Sequence, residues 1–151
     1  MISKPNFIKG SSYTDTRGTI SFTTDFKLPD INRFYTIEHS SVDIVRAWQG
    51  HEIETKFFSI IKGKFVTAWV KIDDFDNPSD KLNAEFKVLG SSSLGVLHIP
   101  PGYANGLRAL EKNSIIAVFS DFDVEKSIEA KRRYNSNKWF NWFQDFDEDD
   151  K

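Results

Sequence analysis

The chain has 151 residues, 20 Lys plus Arg against 22 Asp plus Glu for a formal charge of −2, and no cysteine. That length fits one domain with a substantial core, and the near-balance of charge leaves no footprint for nucleic acid or an anionic membrane. The missing thiols exclude disulfides, thiolate catalysis and cysteine-ligated zinc. Fourteen Phe, four Trp and four Tyr against a single Met favour strands over helices. No segment approaches the ~20 apolar residues of a membrane span, and residues 1–10 lack the apolar run of a signal peptide, so the expected location is cytoplasmic.

Along the chain, short runs of β-branched and aromatic residues alternate with turn signals. They predict nine strands, at 19–22, 33–37, 42–48, 56–61, 65–72, 86–89, 94–99, 105–110 and 115–122. Such spacing fits an antiparallel sandwich or roll and not a βαβ fold. Lys62-Gly63-Lys64 and Glu111-Lys112-Asn113-Ser114 read as tight hairpins. The stretch 73–81 (DDFDNPSDK) has loop composition and lacks the central glycine and terminal glutamate of a calcium loop. Residues 123–133 predict one short helix capped by Asp123, with Glu125 in its first turn. An aromatic stretch follows at 134–143, read as a segment packed over the roll or a second subunit, or as a wall of the site. The expected organisation is one domain over 1–144 and an acidic, disordered tail over 145–151 (DFDEDDK).

The chemistry concentrates in Arg46 to Phe65 (RAWQGHEIETKFFSIIKGKF). Residues two apart on a strand share a face, so Gln49 and His51 project together and a following strand brings Lys56 beside them. The spacing Gln49-x-His51-x4-Lys56-x6-Gly63 is one that usually belongs to a metal site, and a second spaced motif, Pro100-x-Gly102-x2-Asn105, follows it between later strands. An ammonium repels a divalent ion and amides bind one poorly, so the expectation is a cavity with no metal and no cofactor. His39 falls in a polar loop, and His98 is expected half-buried and hydrogen-bonded on a strand.

These two motifs resemble those of the cupins, His-x-His-x4-Glu-x6-Gly and Pro-x-Gly-x2-His. More narrowly, the chain resembles the cupins acting on nucleotide-linked deoxysugars, the dTDP-4-dehydrorhamnose 3,5-epimerases and the dTDP-4-keto-6-deoxyhexose 3,4-ketoisomerases. The similar runs are Asp15-x-Arg17-Gly18, Arg33-Phe34-Tyr35, Val45 to His51 (VRAWQGH) and Ile99 to Gly106 (IPPGYANG). The resemblance implies an all-β cupin jelly roll with a short C-terminal helical and aromatic extension. It also implies a homodimer, a nucleotide-sugar ligand, and Arg17 contacting nucleotide phosphate across the dimer.

The departures are specific. Gln49 stands where the epimerases carry a base histidine, Asn105 where a second histidine lies, and Phe119 near the position of an acid tyrosine. His51 is then the expected base, with Lys56 and Arg46 supplying positive charge at the enolate oxygen. Gln49 and Asn105 contact sugar hydroxyls, and Tyr35 or Asp121 returns the proton. The implied function is a metal-independent epimerase or ketoisomerase acting on a nucleotide-linked 4-keto-deoxysugar in surface-polysaccharide biosynthesis. The alternative is a non-catalytic cupin that binds a sugar nucleotide or a partner enzyme.

Overall fold

A computed structural model describes residues 4–27 and 30–146. Chain order is β1 (Asn6–Lys9), β2 (Ser11–Asp15), β3 (Gly18–Phe22), β4 (Arg33–His39), β5 (Val45–His51), β6 (Lys56–Lys62) and β7 (Lys64–Lys71). It continues with β8 (Ala84–Gly90), β9 (Gly95–Ile99), β10 (Tyr103–Ala109), β11 (Ser114–Ser120), α1 (Val124–Ala130) and β12 (Arg132–Arg133). Two antiparallel five-stranded sheets, ordered β1-β9-β6-β11-β4 and β12-β5-β10-β7-β8, carry the molecule, and β2 with β3 forms a separate ribbon. All nine predicted strands are present, and the architecture is the all-β jelly roll expected.

Apart from the β2–β3 and β7–β8 pairs, consecutive strands change sheet or lie apart rather than pair. From β4 to β7 the chain passes from one sheet to the other at every connection, and again from β9 to β11. The two short connections expected to be hairpins are therefore crossovers. Gly63 turns the first at φ +79, where an added Cβ would stand 2.1 Å from Ser114 Oγ. Ser114 links the two crossovers, accepting from Lys64 N at 3.0 Å and donating to Glu111 O at 2.7 Å. Tight turns set only the reversal of the chain; the partner of each strand is set by which face it must bury.

Strand β7 shows that requirement. Phe65 and Trp69 point between the sheets and join Phe58, Leu97, Leu107 and Val118 in one core, while Val66, Ala68 and Val70 point outward yet are also buried. What covers them is the aromatic C-terminal segment. Trp142 packs 5.2 Å from Trp48, and Arg108 donates to Trp142 O at 2.9 Å. Trp48 Nε1 donates to Lys138 O at 2.9 Å and Trp139 Nε1 to Ser79 O at 2.8 Å, and both bonds tether the cover, while the buried Nε1 of Trp142 has no hydrogen-bond partner among the described residues. The segment is a second core rather than a wall of the cavity. Phe146, expected in the frayed tail, instead packs 5.5 Å from Phe86; residues 147–151 of that tail lie outside the described residues.

The predicted helix is shorter than expected. Asp123 caps it, accepting from Lys126 N at 2.8 Å, but Lys131 is already extended and Arg132–Arg133 form β12, paired with Gly50 and Gln49 of β5. The edge of β5 satisfies the backbone groups of 132 and 133, which overrides their helical composition. No described helix is long and apolar enough to cross a membrane.

Candidate active site

A cavity of about 610 Å³ opens between the sheets along the length of β4. Tyr35 of β4, Arg46 and Gln49 of β5, Lys56 of β6 and Asn105 of β10 all line it. Arg46 and Gln49 are three residues apart and would point to opposite faces of a regular strand. They share the cavity because β5 carries an extra residue against β10: Asn105 lies opposite Gln49, whereas Leu107 lies opposite Arg46. Gly106 is the residue bridged by that bulge, and a Cβ there would meet Ala47 Cβ at 2.5 Å.

Beneath the cavity lies a carboxylate absent from the sequence-level expectations. Glu54, in the turn between β5 and β6, is 1 % exposed. Ser120 Oγ and Ser127 Oγ donate to it at 2.6 and 2.9 Å. Lys56 Nζ lies 3.3 Å from it, His51 Nδ1 3.4 Å and Arg33 Nη2 3.7 Å. Burial alone would raise its pKa, but the His51 hydrogen bond, the Lys56 charge and the Ser120 hydroxyl outweigh that and hold it far below the usual carboxylate range. Glu54 is thus a fixed anion. It joins β4, β5, β6, β11 and α1 at one point.

Lys56 has a second partner. Its ammonium donates to Tyr35 Oη at 2.8 Å. Because that oxygen accepts from lysine, the phenolic hydrogen remains available to the cavity. His51, by contrast, is 3 % exposed and lies behind the wall rather than in it. Burial lowers its pKa, the Lys56 charge adds to that, and Glu54 opposes it. A neutral ring facing an ionised carboxylate keeps its proton on Nδ1, which leaves the Nε2 lone pair without a hydrogen-bond partner among the described residues.

Three expected site residues stand elsewhere. Arg17, on the β2–β3 turn, has a side chain 84 % exposed and pairs with Asp15 at 2.6 Å, away from this chain's cavity. Phe119 alternates outward between the inward Val118 and Ser120, packs 5.0 Å from Phe34, and lines a groove on the outer face of the first sheet. The strand period of two decides this, so Phe119 does not contact a ligand in the cavity. Asp121 accepts from Thr55 N at 2.8 Å and anchors the turn carrying Glu54, so it is a structural group rather than a proton donor to the cavity.

Sequence reasoning also missed Arg33, Lys131 and Arg133, which line the cavity. Arg33 was within reach, because it begins the Arg33-Phe34-Tyr35 run; Lys131 and Arg133 were hidden by a helix read three residues too long. Arg46 Nε donates to His39 Nε2 at 2.8 Å, and His39, 1 % exposed, has its pKa lowered by burial and by that guanidinium. The cavity therefore presents five cations and one lining carboxylate, Glu38. Among the described residues no three His, Asp or Glu side chains converge as a metal site would require.

Two crossed-over sheets enclosing a polar cavity define a cupin-type jelly roll. Neither a protein-family model nor a curated protein matches the chain. Solved structures do. A dTDP sugar isomerase from Desulfovibrio desulfuricans G20 superimposes with a TM-score of 0.72 at 16% identity, covering 93% of this chain and 92% of that one. The rmlC epimerase of Mycobacterium tuberculosis gives 0.73 at 13% identity, over 89% of this chain and 70% of the other. QdtA, a sugar 3,4-ketoisomerase from Thermoanaerobacterium thermosaccharolyticum determined in complex with TDP, gives 0.66 at 20% identity, over 89% and 90%. The chain shares the fold of these isomerases and epimerases.

Proposed function

We propose that the protein is an isomerase of a nucleotide-linked 4-keto-deoxysugar, an epimerase or ketoisomerase acting in the cytoplasm on a precursor of a surface polysaccharide. One observation carries the reading: Tyr35 and Lys56, hydrogen-bonded to each other, face a cationic cavity beside Gln49 and Asn105. Removing a proton beside a ketone moves its electron pair to the carbonyl oxygen, and a cation at that oxygen stabilises the enolate. Lys56 is assigned that role, helped by Arg46. Tyr35 returns a proton; His51 is the candidate base, and to take a proton through Nε2 it must gain access to the cavity from its buried position. Gln49 and Asn105 hold sugar hydroxyls.

Such chemistry leaves an isotopic record. Incubated with a dTDP-linked 4-keto-6-deoxysugar in D2O, the protein is expected to place deuterium at C3 or C5, followed by NMR. His51→Ala should slow that exchange by roughly 10²–10⁴ if the imidazole is the base. A loss below about tenfold removes it from the mechanism.

A second reading has its own support. His51 lies behind the wall, and amides occupy the positions of two expected histidines, which suits a cupin that binds a sugar nucleotide or a partner enzyme without turnover. Saturable binding with no deuterium exchange would select it.

The reading includes a homodimer. The β2–β3 ribbon exposes Tyr13 (59%), Ile20 (62%) and Phe22 (40%), apolar area that a second copy would cover. Arg17 at its tip, too far out to serve its own cavity, would then enter the partner's.

A further inference from the structure

We infer that the outer face of the second sheet carries a separate ligand site, a pocket for a neutral saccharide built by residues 136–143 over the start of β5. It does not depend on the sugar-nucleotide reading, because no residue that lines this pocket lines the cavity between the sheets.

The pocket is made by a reversal of the chain. Trp139 holds φ +66, and Ser136 and Asn137 before it line one opening of about 490 Å³ together with Asn141 and Phe143 after it. That is the size of a small-ligand site. Val45 of β5 and the buried Trp142 complete the lining. Trp139 is fixed by its bond to Ser79 O and by ring contacts with Trp48 at 5.6 Å and Tyr134 at 5.7 Å. Phe143 is fixed as well, since Arg108 stands 4.3 Å from its ring centre while donating to Trp142 O at 2.9 Å and Val42 O at 2.7 Å. Even so, Phe143 is 57% exposed. An aromatic face already held in place loses little freedom when a ligand stacks on it.

The lining selects the ligand. It consists of aromatic rings, one valine, one hydroxyl and two amides, with no charged side chain. Among the described residues the side chains of Ser136 and Asn137 have no hydrogen-bond partner, and Asn141 uses only its oxygen, accepting from Phe143 N at 3.1 Å. The buried Nε1 of Trp142 adds a donor for which the fold supplies no acceptor. An ion entering here would lose hydration without gaining a counter-charge. A wholly apolar ligand would cover those polar groups and leave them unpaired. A pyranose ring meets both conditions, because its C–H face lies against an aromatic ring while the hydroxyls around its edge donate and accept.

Chemical-shift titration of the isotope-labelled full chain with cellotriose, up to about 20 mM, reads both the place and the affinity of binding. The backbone of residues 136–143 and the indole N–H groups of Trp139 and Trp142 should shift saturably, with Gln49 and Lys56 unmoved and the shifts retained in saturating dTDP. Phe143→Ala should raise the Kd at least about fivefold, and Phe34→Ala, at a ring 58% exposed on the other sheet, less than about twofold. No shift at the highest concentration, shifts centred on the cavity or abolished by dTDP, or an equal loss in the two variants would overturn the site.

Discussion

Glu54 is the residue on which the site turns. Its oxygens accept from two serines and face two cations and an imidazole, all with almost no solvent access. Removing it leaves Lys56 and Arg33 without counter-charge in a buried position, so Glu54→Ala should cost about 3–5 kcal/mol of stability by chemical denaturation. The charges also give a pH signature. His39, His51 and His98 have folded values below the free imidazole, so the native state binds fewer protons than the unfolded one. Their contribution is complete above about pH 6.5 and is lost as pH falls below it. Glu54 is depressed as well, so its contribution is present above the ordinary carboxylate range and is lost below about pH 4. Thermal melts should therefore show Tm falling in two acid steps. His39→Gln should shrink the first, since it removes one group that must stay neutral. Side chains such as Gln49, Lys56 and Asn105 were legible because motif spacing on strands fixes a shared face. Glu54 was not, because a turn residue has no period to announce which way it points.

At the scale of elements, two local irregularities do the positioning. The bulge in β5 turns Arg46 to the side of Gln49, and the two residues of β12 bring Arg133 to the rim. Neither has a compositional signal. Strand existence was readable throughout, since β-branched and aromatic runs bounded by turn residues fit only a pleated surface here. Strand partners were not, as the two crossovers at Gly63 and Ser114 show. Nor did sequence distinguish an outward face that is wet from one that is covered: Val66, Ala68 and Val70 need the C-terminal segment to exclude water. Trp142→Ala should therefore lose about 3–5 kcal/mol, as for a fully buried indole. Phe143→Ala, at a ring that is 57% exposed, should lose far less in the same denaturation series.

The whole molecule makes a claim about assembly. If the β2–β3 ribbon meets a second copy, the protein should sediment as a dimer at micromolar concentration, and Ile20→Asp should give a monomer. A monomer that keeps its full affinity for dTDP would show that Arg17 contributes nothing across the interface; a parallel loss of affinity would place it in the partner's cavity. Folding is set at this scale too. Because β4 pairs with β11, β1 with β9 and β5 with β10, most of the sheet joins strands distant in sequence, the β2–β3 and β7–β8 pairs excepted. Loop closure must precede most of the favourable contacts, so refolding should be slow for this length, on a millisecond to second scale or longer. A chain wound between two sheets in this way has no half that can stand by itself: a cut anywhere between β4 and β11 parts strands that depend on each other, and neither piece retains an intact floor for Lys56 and Tyr35.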